Sequence, residues 1–218
     1  MNTPSLNSAN LQAQARRMPL VAILRGLEPT QAMAVGRALY DAGIRTLEVP
    51  LNRPGALQCI ELLAAGLPAD ALVGGGTMLT AMDVNAVYAA GGRLMVSPNC
   101  NASVIAHAAG LGMLCAPGVA TPTEAFAALD AGAHALKLFP SGMVGHGGLK
   151  AMQSVLPAGT DFWPVGGITP ETLAGWVQAG ATGFGIGSQL FAPGTSVPDV
   201  RSRADSYVQA WRVIRPSA

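Results

Sequence analysis

Lysine is nearly missing from this chain: only Lys137 and Lys150 occur, against eleven arginines. Charged residues of all kinds make up 11% of the 218 residues and the net charge is +1. No basic stripe of the kind that binds nucleic acid or an anionic membrane is therefore present. Cysteine is equally sparse. Cys59, Cys100 and Cys115 are odd in number and lack C-x-x-C spacing, which argues against a disulfide framework or structural zinc and suits a reducing cytoplasm. The three histidines, His107, His134 and His146, show no metal-ligand spacing. Long apolar runs are missing too. Residues 102–120 form the most apolar stretch, but Ser103, His107, Gly110, Gly112 and Pro117 interrupt it, unlike a membrane span. Residues 1–17 are polar and have no signal-peptide core. They read as a tail or short leading helix ahead of one domain over residues 19–218.

What the chain has in abundance is a rhythm. Half of it is hydrophobic, and its 27 glycines include Gly43, Gly66, Gly91, Gly110, Gly132, Gly159 and Gly180. Each of these follows a helix-like segment and shortly precedes an apolar run, as helix C-caps leading into strands do. The strand-like runs fall at residues 20–24, 46–49, 71–73, 94–96, 113–116, 135–138, 161–164 and 183–186. Helical patterns such as 29–42 and 122–131 separate them. Eight alternating units in a chain of this length predict a (β/α)8 TIM barrel, with an open doubly wound sheet as the alternative architecture.

Lys137 lies inside the run Ala133-His134-Ala135-Leu136-Lys137-Leu138-Phe139-Pro140, where a permanent charge is costly. Burial can depress a lysine pKa by up to ~3–5 units. The resulting neutral amine is a Schiff-base nucleophile, a role closed to arginine. A strand-end lysine snorkelling to water fits the same run. Strand parity sharpens the choice, because Lys137 shares a face with Ala135 and Phe139 while Leu136 and Leu138 face the helices. The same alternation in Thr46-Leu47-Glu48-Val49-Pro50 turns Glu48 into the barrel. Both ionisable groups sit near strand C-termini, the end where barrel active sites are built, although a structural ion pair would need the same placement.

After the seventh strand comes Val165-Gly166-Gly167-Ile168, and after the eighth comes Gly185-Ile186-Gly187-Ser188. Paired glycines let backbone N–H groups approach an anion, and a following helix would point its positive end at it. Both loops are thus a candidate phosphate cradle, with simple turn glycines as the bland alternative. Arg25 at the end of the first strand and Thr77 at the end of the third are candidates for holding a carboxylate. A surface ion pair for Arg25 and a helix cap for Thr77 are their structural alternatives.

An ordered set of motifs now stands together: Ala22-Ile23-Leu24-Arg25-Gly26, Glu48-Val49-Pro50-Leu51-Asn52, Gly76-Thr77, Ser97-Pro98-Asn99, Pro117-Gly118-Val119-Ala120-Thr121-Pro122, Leu136-Lys137-Leu138-Phe139-Pro140 and Val165-Gly166-Gly167. In order and position it resembles the 2-keto-3-deoxy-6-phosphosugar-acid aldolases over about residues 19–212. The resemblance implies a class I aldolase built as a TIM barrel, usually a homotrimer, that needs neither metal nor organic cofactor. It implies an imine on Lys137, general acid/base chemistry at Glu48, and keto-acid binding at Arg25 and Thr77. Phe139 would pack beside the imine. Gly166, Gly167, Gly187 and Ser188 would contact phosphate.

Within that family, Asn52 and Val165 match the galactonate branch. The gluconate branch tends to carry Thr-Leu-Arg after the glutamate and a hydroxyl residue before the glycine pair. The implied substrate is 2-dehydro-3-deoxy-6-phosphogalactonate, cleaved to pyruvate and glyceraldehyde 3-phosphate, with the C4 epimer as the alternative. Two features depart from the family pattern: the length of chain before Pro19, and the glycine-rich segment at residues 142–148, expected as a loop with His146 exposed. A phosphosugar isomerase or epimerase would use the same barrel and phosphate loops without an imine, and a binding module would turn nothing over.

Overall fold

The computed structural model describes residues 8–214. Helix α1 (Ser8–Arg17) leads into β1 (Leu20–Ile23), α2 (Pro29–Ala42), β2 (Thr46–Pro50), α3 (Ala56–Gly66), β3 (Leu72–Gly76), α4 (Ala81–Ala89) and β4 (Leu94–Val96). Then follow α5 (Ala102–Gly110), β5 (Leu114–Ala116), β6 (Gly118–Val119), α6 (Pro122–Asp130) and β7 (Leu136–Leu138). The chain closes with α7 (Ser141–Gln153), β8 (Phe162–Pro164), α8 (Leu173–Gln178), β9 (Phe184–Ile186) and α9 (Val197–Ile214). All strand pairs are parallel, in the orders β5-β4-β3-β2-β1-β9 and β6-β7-β8.

The two sheets are one barrel. On one seam Cys115 O accepts from His134 N and Ala135 N, and Pro117 O accepts from Lys137 N at 2.9 Å. On the other, Val165 bridges Gly185 and Phe162 O accepts from Thr182 N. Nine strands are found where eight runs are expected, because Pro117 has no N–H and splits the fifth stave into β5 and β6. The result is the (β/α)8 barrel rather than an open sheet.

Local sequence explains most boundaries. Thr80 with Asp83 and Thr121 with Glu124 form capping boxes that start α4 and α6. Gly43 ends α2 at φ 115°, donating its N–H to the last turn. Gly66 and Gly110, expected as caps, instead are the final helical residues of α3 and α5; Leu67 caps the first, and past the second the left-handed turn falls to Gly112 (φ 75°). The segment at 142–148 is also not a loop. It is helical within α7 and breaks only at Gly145 (φ 68°, ψ 175°). Tertiary packing overrides the low helix propensity of glycine here. His146 is exposed as expected, yet its ring packs edge-on against Trp176 at 4.3 Å.

Side-chain alternation divides the core into two layers. Leu47, Val49, Leu136 and Leu138 face the helices, while Val21, Leu72, Leu94, Leu114, Ala135 and Trp163 fill the barrel interior. Leu11 and Ala15 of α1 join that interior set. Gln12 donates to His134 O and Asp161 Oδ2, and Arg16 pairs with Asp161 at 2.8 Å. Helix α1 therefore plugs the N-terminal mouth; residues 1–7 lie outside the described residues. The polar interior groups are left at the opposite end.

Candidate active site

Glu48 and Lys137 enter the barrel from β2 and β7, with relative exposures of 2% and 8%. Glu48 Oε2 is buried without a hydrogen-bond partner. The described ion pairs are Arg16–Asp161, Arg45–Asp70 and Arg201–Asp205, so Glu48 and Lys137 do not come within the 4.0 Å that defines one. They nonetheless feel each other's charge. Burial pushes the Glu48 carboxyl above its ordinary range, and the positive charges of Lys137 and Arg25 offset part of that shift. Burial also holds the Lys137 amine below its ordinary range, with Glu48 opposing and Arg25 reinforcing the change. Desolvation thus favours the neutral form of both groups. A small void of about 10 Å³ lies between them, bounded also by Val21, Ile23, Val96, Trp163 and Gly185.

The room for Glu48 comes from the neighbouring strand. Pro50 pairs with Gly76 in the β2–β3 register, and a Cβ on Gly76 would fall 1.3 Å from Glu48 Oε1 and 2.2 Å from Cδ. Only a residue without a side chain leaves space for the carboxylate. Lys137 Nζ in turn stands 4.8 Å from the centre of the Phe139 ring.

Above this pair opens a cleft of about 270 Å³ that shares Ile23 and Val165 with the void. Arg25, Phe139, Val165, Gly166, Gly167, Gly187 and Ser188 all line it. The cleft therefore gathers most of the residues marked in the sequence. Thr77 and Asn52 are not among its lining. Thr77 is half-buried at φ 54° beyond β3, and Asn52 is exposed in the turn after β2. Thr77 is not a helix cap either, since Thr80 serves α4. Phe191 and Pro193 complete the cleft wall without having been singled out by sequence reasoning; the apolar run Phe191-Ala192-Pro193 directly after the second glycine loop was the available signal.

The anion cradle differs from the expectation in one respect. Helix α8 has six residues and begins at Leu173, well past Gly167, and after β9 the next helix starts only at Val197. Neither helix that follows a glycine loop in the chain therefore begins at that loop. Gly166 and Gly167 both take positive φ, 115° and 67°, and they line the cleft beside Arg25, Ser188 and Gln189.

A buried amine, a buried carboxyl and an overlying cleft lined by both glycine loops at one strand end are the arrangement of an imine-forming lyase. The family model "KDPG and KHG aldolase" matches residues 11–201. The chain belongs to that aldolase family. This aldolase is 45% identical over 196 residues to the 2-dehydro-3-deoxy-6-phosphogalactonate aldolase of Escherichia coli K12, covering 90% of this chain and 96% of that one. A solved native KDPGal structure superposes with a TM-score of 0.89 at 44% identity, covering 91% and 96% of the two chains. A KDPG aldolase from Legionella pneumophila, solved with pyruvate captured at low pH as a covalent carbinolamine intermediate, is 27% identical with a TM-score of 0.79 over 93% and 97%. Among the described residues of this aldolase no helix is long and apolar enough to cross a membrane.

Proposed function

We propose that this aldolase cleaves 2-dehydro-3-deoxy-6-phosphogalactonate to pyruvate and glyceraldehyde 3-phosphate through an imine on Lys137. The observation that carries the reading is the burial of a lysine and a glutamate, both biased toward their neutral forms, beneath one cleft. The neutral Nζ adds to the C2 ketone to give a carbinolamine. Glu48, as the protonated acid, gives its proton to the departing hydroxyl. Water leaves, and an iminium cation and a carboxylate remain.

That step also resets Glu48. A fixed positive charge has formed beside it, which favours its ionised form. The carboxylate then takes the proton of the C4 hydroxyl, directly or through water. The C3–C4 pair flows into the iminium, and glyceraldehyde 3-phosphate departs. The enamine that remains is protonated at C3, and hydrolysis of the imine releases pyruvate and restores the amine.

Arg25 and Thr77 bind the keto-acid end, Phe139 packs beside the imine, and Gly166, Gly167, Gly187 and Ser188 receive the phosphate. Asn52 and Val165, together with the galactonate-aldolase relative at 45% identity, support the galactonate epimer. Comparing kcat/KM for the two C4 epimers tests that choice: the galactonate form is expected to be preferred, and equal values would contradict it.

The same family reading carries a homotrimer in the cytoplasm with residues 1–18 leading into the catalytic unit. The exposed apolar side chains of Leu57, Leu79 and Met82 support association. Sedimentation equilibrium tests it, with a trimer mass expected and a monomer mass contradictory.

A further inference from the structure

Ser141 is a fully buried hydroxyl directly behind the glycine loop that follows β8, and it does not line the cleft. It opens α7, only four residues after Lys137. The first N–H groups of a helix have no partner inside it, and that of Ser141 is donated to Val165 O at 3.1 Å. Its hydroxyl is donated to Gly166 O at 2.7 Å. One residue therefore holds two consecutive carbonyls of the loop. Tyr207 holds a third from α9, donating to Ile168 O at 2.7 Å.

The geometry of the peptide unit gives this grip a consequence. Across a trans peptide the C=O and N–H point in opposite directions, and the bond between Gly166 and Gly167 is trans, since the one cis bond among the described residues is Phe139–Pro140. Turning Gly166 O toward Ser141 turns Gly167 N–H the other way, to the side where Gly166 and Gly167 line the cleft. That N–H has no partner among the described residues. At φ 115° and 67° the two glycines have a broad choice of backbone states, so something outside the loop has to select one.

We propose that Ser141 is a positioning residue that holds Gly167 N–H toward the substrate phosphate and so sets affinity for the phosphorylated end of the substrate. The proposal rests on the reading that phosphate binds at the Gly166-Gly167 loop. It also ties the imine strand to the phosphate loop, because Ser141 lies on the segment that leaves β7.

The test is the variant Ser141→Ala. It is expected to raise KM for the phosphorylated sugar acid about tenfold, equivalent to about 1.4 kcal/mol, with kcat nearly unchanged. The inhibition constant of inorganic phosphate should rise in parallel. Cleavage of the unphosphorylated sugar acid and borohydride trapping of pyruvate should stay at the unsubstituted level, and Ser141→Thr, which keeps the donor, should restore tight binding. If Ser141→Ala does not fold, Ser141→Cys carries the same comparison with a weaker donor of similar size.

An unsubstituted enzyme that favours the phosphorylated substrate, together with a Ser141→Ala variant of unaltered KM or one equally impaired on the unphosphorylated substrate, would overturn the role of Ser141 alone. An unsubstituted enzyme indifferent to the substrate phosphate and to inorganic phosphate would overturn the phosphate reading and this role together.

Discussion

Gly76 makes room for Glu48: the position a Cβ would take on the glycine is 1.3 Å from the carboxylate oxygen Oε1. Gly76 lies opposite Pro50 in the β2–β3 ladder, two positions past the partner of Glu48, and the carboxylate reaches forward into the volume that any side chain at position 76 would claim. Gly76→Ala is expected to push the carboxyl away from Lys137 and lower kcat roughly 10²–10⁴-fold, the range of general acid/base catalysis. Steady-state kinetics and circular dichroism check it; a folded variant with full activity would contradict it.

Glu48→Gln separates catalysis from stability. Burial raises the Glu48 pKa above 4.5, so between that value and the folded pKa the native state holds a proton that the unfolded chain has released. Stability therefore falls as pH rises through this window, and above it the native state carries the whole cost of a buried carboxylate. The glutamine variant should melt at a higher temperature than the native enzyme above the folded pKa, by the equivalent of about 1–3 kcal/mol. The difference should vanish toward pH 4.5. Thermal melts across pH read it directly, and kcat should fall in the same variant.

Lys137 has the opposite sign. Its folded pKa lies below 10.5, so between the folded value and 10.5 the unfolded chain holds a proton that the native state has lost. Stability rises with pH across that window. Imine formation should follow the free amine, with the trapping rate climbing through the depressed pKa and levelling off below pH 10.5. A rate still rising near that pH would mean that the amine is not desolvated in the enzyme.

These two groups were legible in the sequence because strand alternation has a period of two. Once 135–138 and 46–49 were read as strands, Lys137 and Glu48 could only share the interior. What the sequence left hidden depends on pairing between distant segments. Gly76 looked like the end of a glycine run, and its purpose appears only with the register that sets Pro50 opposite it. Ser141 was an unremarked residue after Phe139-Pro140, since its partners Val165 and Gly166 lie more than twenty positions away. Propensity alone makes the glycine-rich 142–148 segment a loop, and the packing of His146 on Trp176 that accompanies its helical form has no trace in the local sequence. Nothing local says how short α8 is, so the helix expected directly after Gly167 starts only at Leu173.

Helix α1 tests the plug at the other mouth. Leu11 is 2% exposed and packs with Leu72, Leu94 and Trp163 inside the barrel. Leu11→Ala should cost about 2–5 kcal/mol of stability while leaving KM near its native value, because the cleft lies at the far end. Chemical denaturation with parallel kinetics checks both halves, and a large KM change at unaltered stability would contradict the placement.

Incubating the enzyme with pyruvate, reducing with borohydride and mapping the modified peptide by mass spectrometry tests the imine most directly. The prediction is one reduced pyruvyl group per chain, carried by Lys137 and lost in Lys137→Arg. An unmodified Lys137, or an adduct that survives that substitution, would contradict the mechanism at its first bond.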